Sequence, residues 1–295
     1  MKEKNLFESG HNACAGCGPA IAMRHILEAA GKNTIITIAT GCMEVVSTPY
    51  PLTSWRVPCI HSAFENAGAT ASGIDAALKS LDKRKDVNVI AIAGDGGTAD
   101  IGLQALSGAI ERGNKFLFIC YDNAAYQNTG NQRSGLTPKY GDTTTSPYGS
   151  KIHGKQESKK SLPFIIAAHG GYVATANVAY IEDFENKIKK ALSKNGVSYI
   201  QIFTPCIPGW KIPENLTVEI SRLAVQTRAC LLYEIENGVI NLNMPIEKPK
   251  PIKDYLRLQG RFKHLNETEI KDINNLANSE YDRIKKLSDE KIKIF

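Results

Sequence analysis

The hydrophobic pattern changes period repeatedly along the chain, and each change marks an element. Pro19 to Ala30 spaces its apolar residues as a helix does, with proline in the first turn and Gly31 at the end. Thr34 to Ala39 is short and β-branched, as a strand is, and runs into Gly41-Cys42. The alanines between Asn66 and Lys79 predict a closely packed helix. Val87 to Ala93 is continuously apolar, the mark of a strand buried on both faces of a parallel sheet, and it ends at Gly94-Asp95-Gly96-Gly97. A helix is expected from there to about Arg112, then a second buried strand from Lys115 to Tyr121.

A Thr, Ser, Gly and Pro-rich stretch from Asn123 to about Ser161 interrupts the alternation, and loops of that length are usually functional or disordered. The pattern resumes with a helix near Pro163 to His169, a strand at Tyr172 to Thr175, a helix from Ile181 to Ser193 and a strand at Val197 to Phe203. Such alternation predicts an α/β fold with a doubly wound parallel sheet. After Cys206 the order shifts to a helix around Val218 to Leu231, a hairpin over Tyr233 to Asn243 turning at Glu236-Asn237-Gly238, a Pro/Lys connector and a charged terminal helix. The expected organisation is one ligand-binding domain over residues 1–212 and a C-terminal extension over 213–295 that packs on the core or on partner subunits.

At 295 residues, 42% of them hydrophobic, the chain can bury a substantial core, and no stretch is long and apolar enough to span a bilayer. The start, Met1-Lys2-Glu3-Lys4-Asn5, lacks an apolar run behind its charges, so no export signal is expected and the compartment is cytoplasmic. A net charge of +6 with interspersed acids and bases argues against a nucleic-acid footprint and suits, at most, docking of an acidic protein. Seven cysteines in a reducing compartment call for metal binding, thiol chemistry or burial rather than disulfides.

Two groups of residues carry the chemistry. In open α/β sheets ligands bind beyond the carboxyl ends of the strands, where Gly94-Asp95-Gly96-Gly97 falls. Glycines let the backbone approach an anion, a following helix start offers free N–H groups to phosphate oxygens, and Asp95 is a hard oxygen ligand for Mg²⁺. Asn123, just past the second buried strand, can reach the same crevice. The second group begins at Cys14-Ala15-Gly16-Cys17, a C-x-x-C that suits structural zinc, a redox dithiol or an iron–sulfur cluster alike. A [4Fe–4S] cluster needs four thiolates. Cys42 and Cys206 each follow a strand and can join the pair, whereas Cys59 in a Pro-containing loop, Cys120 in a strand and Cys230 in a helix read as buried thiols.

Gly-Asp-Gly followed at this interval by Asn resembles the thiamine-diphosphate motif. The resemblance implies Mg²⁺ held by Asp95, Asn123 and the Ala125 carbonyl, with Gly94, Gly96 and Gly97 along the diphosphate. Tyr121 to Gly135, followed by Asp142 to Pro147, is similar to the β-subunit loop of pyruvate and related branched-chain 2-oxoacid:ferredoxin oxidoreductases. In that family Asn128 would face the thiazolium and substrate. Gly10 to Gly18, Gly41-Cys42 and Thr204-Pro205-Cys206, extended by Pro208-Gly209-Trp210, resemble its cluster motifs, which implies Cys14, Cys17, Cys42 and Cys206 as [4Fe–4S] ligands, with Cys42 also at the cofactor. Ala124 stands where Glu is usual and Asn131 where an apolar residue is common, so the 2-oxoacid stays open among pyruvate, branched-chain acids and oxalate.

The implied activity is oxidative decarboxylation of a 2-oxoacid with coenzyme A, electrons passing to ferredoxin. The implied partners are an α subunit that supplies the pyrimidine-binding domain, together with γ and δ-type subunits. Two rival readings remain: a non-oxidative thiamine-dependent carboligase with structural zinc, and an iron–sulfur electron-transfer subunit whose Gly-Asp-Gly turn is only structural. His11 is expected to cap its loop, and His61, Glu65 and Asn66 to position the crevice.

Overall fold

The computed structural model describes residues 5–295; the charged start at residues 1–4 lies outside them. Strands β1 (Thr34–Ala39), β2 (Cys59–Ser62), β3 (Asn88–Gly94), β4 (Phe116–Asp122), β5 (Tyr172–Asn177) and β6 (Val197–Phe203) run parallel, and β7 (Tyr233–Glu236) and β8 (Val239–Leu242) complete the sheet as an antiparallel hairpin. The order across the sheet is β2-β1-β3-β4-β6-β5-β7-β8. The chain therefore leaves β1 for β2 on one side and for β3 on the other.

Alternate residues of each central strand go to opposite cores because side chains alternate across a strand. Val89, Ala91 and Ala93 of β3 face one core with Phe116, Phe118 and Cys120 of β4. Ile90, Ile92, Leu117, Ile119 and Tyr121 face the other. Helices α1 (Gly18–Ala30) and, later in the chain, α6 (Ile181–Ser193) cover that second face. On the first face lie α3 (Ala67–Ser80), α4 (Leu103–Glu111) and α5 (Leu162–Ala167). The doubly wound α/β sheet expected from the sequence is thus the observed one.

Several expectations need correction. A short helix, α2 (Cys42–Ser47), follows β1, and Cys59 opens strand β2 rather than lying in a loop. The helix expected to run without a break to Arg112 is split: a π-helical turn, Gly97–Ile101, precedes α4. Gly102 makes this turn possible, since a Cβ there would stand 2.1 Å from the Gly97 carbonyl oxygen. Helix α8 (Thr217–Gln226) stops five residues early. Thr227 Oγ1 bonds the Leu223 carbonyl at 2.7 Å and Arg228 turns left-handed at φ 64°, which leaves Cys230 beyond the helix.

The segment after residue 212 packs on the core: β7 pairs with β5, and Tyr281 and Ile284 of α10 (Glu267–Asp289) enter the first hydrophobic core. Asn237 and Gly238, at φ 52° and 76°, form the two-residue turn expected for the hairpin. Between them and α10 come α9 (Ile252–Leu256) and a 3-10 turn, Gly260–Phe262. That turn docks on α7 (Ile207–Trp210), the single helical turn that follows β6 and Cys206, through the Gly260 N–H to the Lys211 carbonyl at 3.3 Å.

Candidate functional site

Strands β1, β3, β4 and β6 are neighbours that end at one sheet edge, and the reversal of strand order around β1 opens a crevice there. The register pairs Gly94 with Tyr121, so Asp95, which follows β3, and Asp122, the last residue of β4, stand side by side. Both are buried. Burial and its neighbour Asp122 push the Asp95 carboxyl well above the usual carboxylate range, and the hydroxyl of Ser134, which donates to Asp95 Oδ2, opposes that only in part. Burial likewise raises Asp122, despite hydrogen bonds from Gln201 Nε2 at 2.7 Å and from the Ala124 N–H at 3.0 Å. Two crowded buried acids form a site that a cation would stabilise.

The Asn123 side-chain amide lies 2.8 Å from Asp95 Oδ1 and 3.0 Å from the Ala125 carbonyl oxygen, and with its nitrogen turned toward them it donates to both. Each of the three residues carries an oxygen that a small hard cation can take as ligand. Asp95, Asn123 and Ala125, the three ligands expected from the sequence, are thus brought together.

The loop from residue 123 to 161 contains no helix or strand before α5, yet it is pinned at many points. Asp100, on the π-helical turn, accepts from the Tyr126 hydroxyl at 2.8 Å, the Gly135 N–H at 2.9 Å and Lys160 Nζ at 2.6 Å. Those donors hold the Asp100 carboxyl below its usual range against its desolvation. Thr137 Oγ1 bonds the Ala124 carbonyl at 2.7 Å and itself accepts, through its backbone oxygen, from buried Lys155 Nζ at 2.7 Å. Gly94 closes β3 and Gly97 begins the π-helical turn. The Tyr126 ring covers Gly96, where a Cβ would come within 2.1 Å of a ring carbon. Asn128 sits exposed toward the loop tip.

The four expected cysteines gather at the same edge. Gly16, between the first two, must be glycine: its φ is +71° and a Cβ would overlap the Glu214 carbonyl oxygen at 2.0 Å. The Gly18 N–H bonds the Pro205 carbonyl at 3.2 Å and Thr217 Oγ1 bonds the Gly16 carbonyl, which fastens the C-x-x-C loop to the segment bearing Cys206. Burial pushes the Cys17 thiol up to about 11, with Cys14 adding to the rise. Burial and then Cys206, Cys17 and Cys14 push Cys42 up to about 12. Cys206 likewise reaches about 12 through burial, with Cys17 and Cys14 opposing its charge.

Burial and neighbouring thiols oppose ionisation of Cys17, Cys42 and Cys206, so this is a site for a cationic centre, which would reverse those three shifts. Among the described residues, the one set of three or more His, Cys, Asp or Glu ligand atoms all within 4.8 Å of one another is His25, Glu28 and Glu185. A [4Fe–4S] cluster takes four thiolates, each at a different corner, which is the number of cysteines gathered here. Cys59, Cys120 and Cys230 lie apart from this group, at the edge strand, in β4 and beyond α8.

Ser134, Asp100 and Arg261 are site residues that the sequence reading did not single out. Ser134 lay unremarked within the diagnostic loop. Arg261 comes from the C-terminal tail, where one arginine among many cations carries no signal. Its guanidinium lies 3.7 Å above the buried Trp210 ring, whose Nε1 donates to the Asn123 carbonyl at 2.8 Å. Behind them is a cavity of ≈ 340 Å³ bounded by Asp122, Lys159, Trp210, Cys230, Tyr255 and Arg261 among others. His11 accepts from the Ala13 N–H at 3.4 Å and stacks on Phe7, as a loop cap does. His61 bonds Thr40 Oγ1 at 2.7 Å and lies 3.3 Å from Glu44.

Residues 39–202 match the family model described as the thiamine pyrophosphate enzyme, C-terminal TPP binding domain. The chain is 55% identical to pyruvate synthase subunit PorB of Methanocaldococcus jannaschii, over 99% of this chain and 96% of that protein. It is 51% identical to the subunit of that name in Methanothermobacter thermautotrophicus, over 95% and 97%. Ketoisovalerate oxidoreductase subunit VorB of Pyrococcus abyssi is 48% identical over 97% and 94%. In fold, the chain is similar to the 2-oxoglutarate:ferredoxin oxidoreductase of Magnetococcus marinus, with a TM-score of 0.58 and 23% identity over 75% of this chain and 80% of that one.

Proposed function

Because the chain belongs to the β-subunit family of the 2-oxoacid:ferredoxin oxidoreductases, with the thiamine-pyrophosphate-binding domain over residues 39–202, we propose that it forms the cofactor-binding half of the active site of a pyruvate oxidoreductase. The chain is a subunit of a multi-subunit oxidoreductase. Pyruvate is favoured because four pyruvate synthase relatives reach 50–55% identity, above the ketoisovalerate relatives at 47–48%, while a fifth pyruvate synthase relative, from Thermotoga maritima, is 45% identical.

The observation that carries this reading is the convergence of two donor sets on one sheet edge. Asp95, Asn123 and the Ala125 carbonyl would hold Mg²⁺, and Gly94, Gly96 and Gly97 would lie along the diphosphate. Thiamine diphosphate supplies the nucleophilic carbon that attacks a 2-oxoacid carbonyl and takes up the electrons released as CO₂ departs. Asn128, exposed on the loop, would face the thiazolium and substrate. Cys14, Cys17, Cys42 and Cys206 would hold a [4Fe–4S] cluster that relays single electrons toward ferredoxin, with coenzyme A as acyl acceptor. The 50–55% identity to pyruvate synthase subunits speaks against the carboligase with structural zinc. The meeting of Asp95, Asn123 and Ala125 at the strand ends speaks against an electron-transfer subunit with an idle Gly-Asp-Gly turn.

Activation of thiamine needs a carboxylate on its aminopyrimidine, and this chain builds one sheet, with the diphosphate-binding motif on it. We place that carboxylate on an α subunit docked over Gly94–Gly97 and the 123–135 loop, with γ and δ-type subunits completing the enzyme. Among the described residues no helix is long and apolar enough to cross a membrane, and we propose a cytoplasmic location. The test is pyruvate-dependent viologen reduction after anaerobic reconstitution. The chain alone, loaded with cofactor and cluster, is expected to be inert, with activity appearing on addition of the α subunit. Turnover by the isolated chain would overturn the half-site assignment.

A further inference from the structure

The cavity of ≈ 340 Å³ lies between the ends of β4, β5 and β6 and the C-terminal tail, and it falls in the size range of small-ligand sites. Leu136, Phe203, Leu231, Leu256 and Leu276 make much of its lining hydrocarbon. Into this lining the 3-10 turn of the tail sets Arg261, which is 4% exposed and always charged. A guanidinium is a flat plate whose five N–H donors lie along its edges. Both faces of the plate are covered, by the Trp210 ring at 3.7 Å and the Phe262 ring at 4.8 Å. The Nε edge is taken by Gln259, whose Oε1 accepts at 3.0 Å. What meets the cavity is therefore the Nη end, and among the described residues no carboxylate lies within 4 Å of it.

Burial works against the charge of Arg261, and Tyr255 and Asp122 support it. Asp122 does so from beyond ion-pairing distance, with its oxygens bonded to the Ala124 N–H at 3.0 Å and Gln201 Nε2 at 2.7 Å. A tyrosine hydroxyl supplies a single acceptor site to the fork, so most of the Nη donors are left for the cavity. The other charged groups around the cavity are engaged elsewhere. Lys139 pairs with Asp272 at 2.8 Å, Lys160 with Asp100 at 2.6 Å and Glu280 with Arg283 at 2.7 Å. Arg228 bonds the Ile246 carbonyl at 2.6 Å and Asn278 at 2.7 Å. Lys159 is different: it is exposed, it has no ion pair among the described residues, and it brings a second positive charge to bear on Asp122 and Cys230 in the same lining.

A ligand that satisfies these surroundings carries a planar two-oxygen anion for the fork and hydrocarbon for the rest. Carboxylates meet guanidinium groups through two parallel N–H···O bonds, whereas a polar body would be stripped of water against leucine and phenylalanine without regaining hydrogen bonds. An apolar cavity of about 150 Å³ holds benzene, so this larger one has room for an aromatic or branched body and a carboxylate. We infer that the cavity is a binding site for a monocarboxylate with a hydrocarbon body, its carboxylate on the Nη end of Arg261 and its body against Leu231, Leu256 and Leu276. This goes beyond the cofactor reading and stands apart from it: none of the residues assigned above to Mg²⁺, the diphosphate or the cluster lines the cavity.

The experiment is calorimetric titration of the full-length chain with phenylacetate at fixed ionic strength, beside the neutral isostere phenylacetamide and two headgroups without a body, acetate and inorganic phosphate. Phenylacetate is expected to bind one to one. Phenylacetamide should bind roughly tenfold or more weakly for want of the charge-assisted pair, acetate should be weaker by a similar factor, and phosphate should not displace phenylacetate. Ala277→Phe, which fills the cavity from α10, should abolish binding, and Arg261→Gln should remove the preference for the acid over the amide. Melting temperatures report whether each variant is folded. Should either fail to fold, the comparison of the four probes on the wild type still decides. No binding of phenylacetate, equal binding of acid and amide, displacement by phosphate, or unchanged binding in folded Ala277→Phe would each overturn the inference.

Discussion

Replacing Asp95 by Asn removes one charge at the bottom of the crevice and keeps the side chain's shape. In the cation-free protein that charge is unfavourable. Asp95 is 1% exposed, lies beside Asp122 and has its carboxyl raised well above the unfolded value, so its ionised form destabilises the fold at neutral pH and D95N relieves that cost. The melting temperature without ligands should therefore hold or rise. With Mg²⁺ and thiamine diphosphate the sign reverses, because the carboxylate then faces a cation held with Asn123 and Ala125. Removing one partner of a buried charge pair costs about 3–5 kcal/mol, which lowers affinity by roughly two to three and a half orders of magnitude. A ligand at a hundred times its dissociation constant stabilises a fold by about 2.7 kcal/mol, and at the same concentration the variant should gain almost nothing. Thermal melts with and without Mg²⁺ and thiamine diphosphate, plus cofactor content of the purified protein, read both signs. An equal ligand-induced rise in wild type and D95N would show that Asp95 is no ligand.

Cys206→Ser should lose at least half of the iron and sulfide of the reconstituted chain while Cys230→Ser retains them all; equal loss in both, or in neither, would break the proposed ligand set. Glu234 accepts from the Tyr172 hydroxyl and Lys190 at 2.7 Å and from Asn243 at 2.6 Å, and against its desolvation these donors bring its carboxyl down to about 2. A depressed carboxylate stabilises the fold above its unfolded value near 4.3 and loses that contribution as pH falls through about 2. Glu234→Gln should accordingly cost up to roughly 3 kcal/mol at neutral pH, by urea unfolding, and the difference should shrink steadily below pH 4; a gap independent of pH would mean that the charge is not what joins the β7–β8 hairpin to β5.

The elements read correctly from the sequence are those in which one physical rule dominates. β3 and β4 are buried on both faces, so an unbroken apolar run has no competing explanation, and α6 and β6 were bounded to the residue. Where two requirements compete, sequence reading fails. Gly97 to Gly102 reads as the continuation of a helix, yet the backbone widens there into a π turn whose Asp100 ties down Tyr126, Gly135 and Lys160. The second glycine, five residues after the first, is the spacing that such a turn needs, and it was visible. The long Asn123–Ser161 segment has no periodicity because its order comes from side chains bonded to distant backbone, Lys155 to the Thr137 carbonyl and Lys160 to that of Ala99.

The site divides the same way. Asp95, Asn123, Cys42 and Cys206 are legible because their chemistry is scarce and each follows a strand end, where the topology leaves room for a ligand, and Cys14 and Cys17 because they form a C-x-x-C. Arg261 is illegible because its role depends on what a tail some fifty residues downstream of Cys206 packs against. A buried arginine over Trp210 makes the extension part of the site's electrostatics: the 3-10 turn that carries it fits α7 only through Gly260, and α7 begins at the residue after Cys206. The same packing ties Asn123 to Trp210 through the indole N–H, so a change at the tail reaches both the oxygen set and the thiol set at the sheet edge.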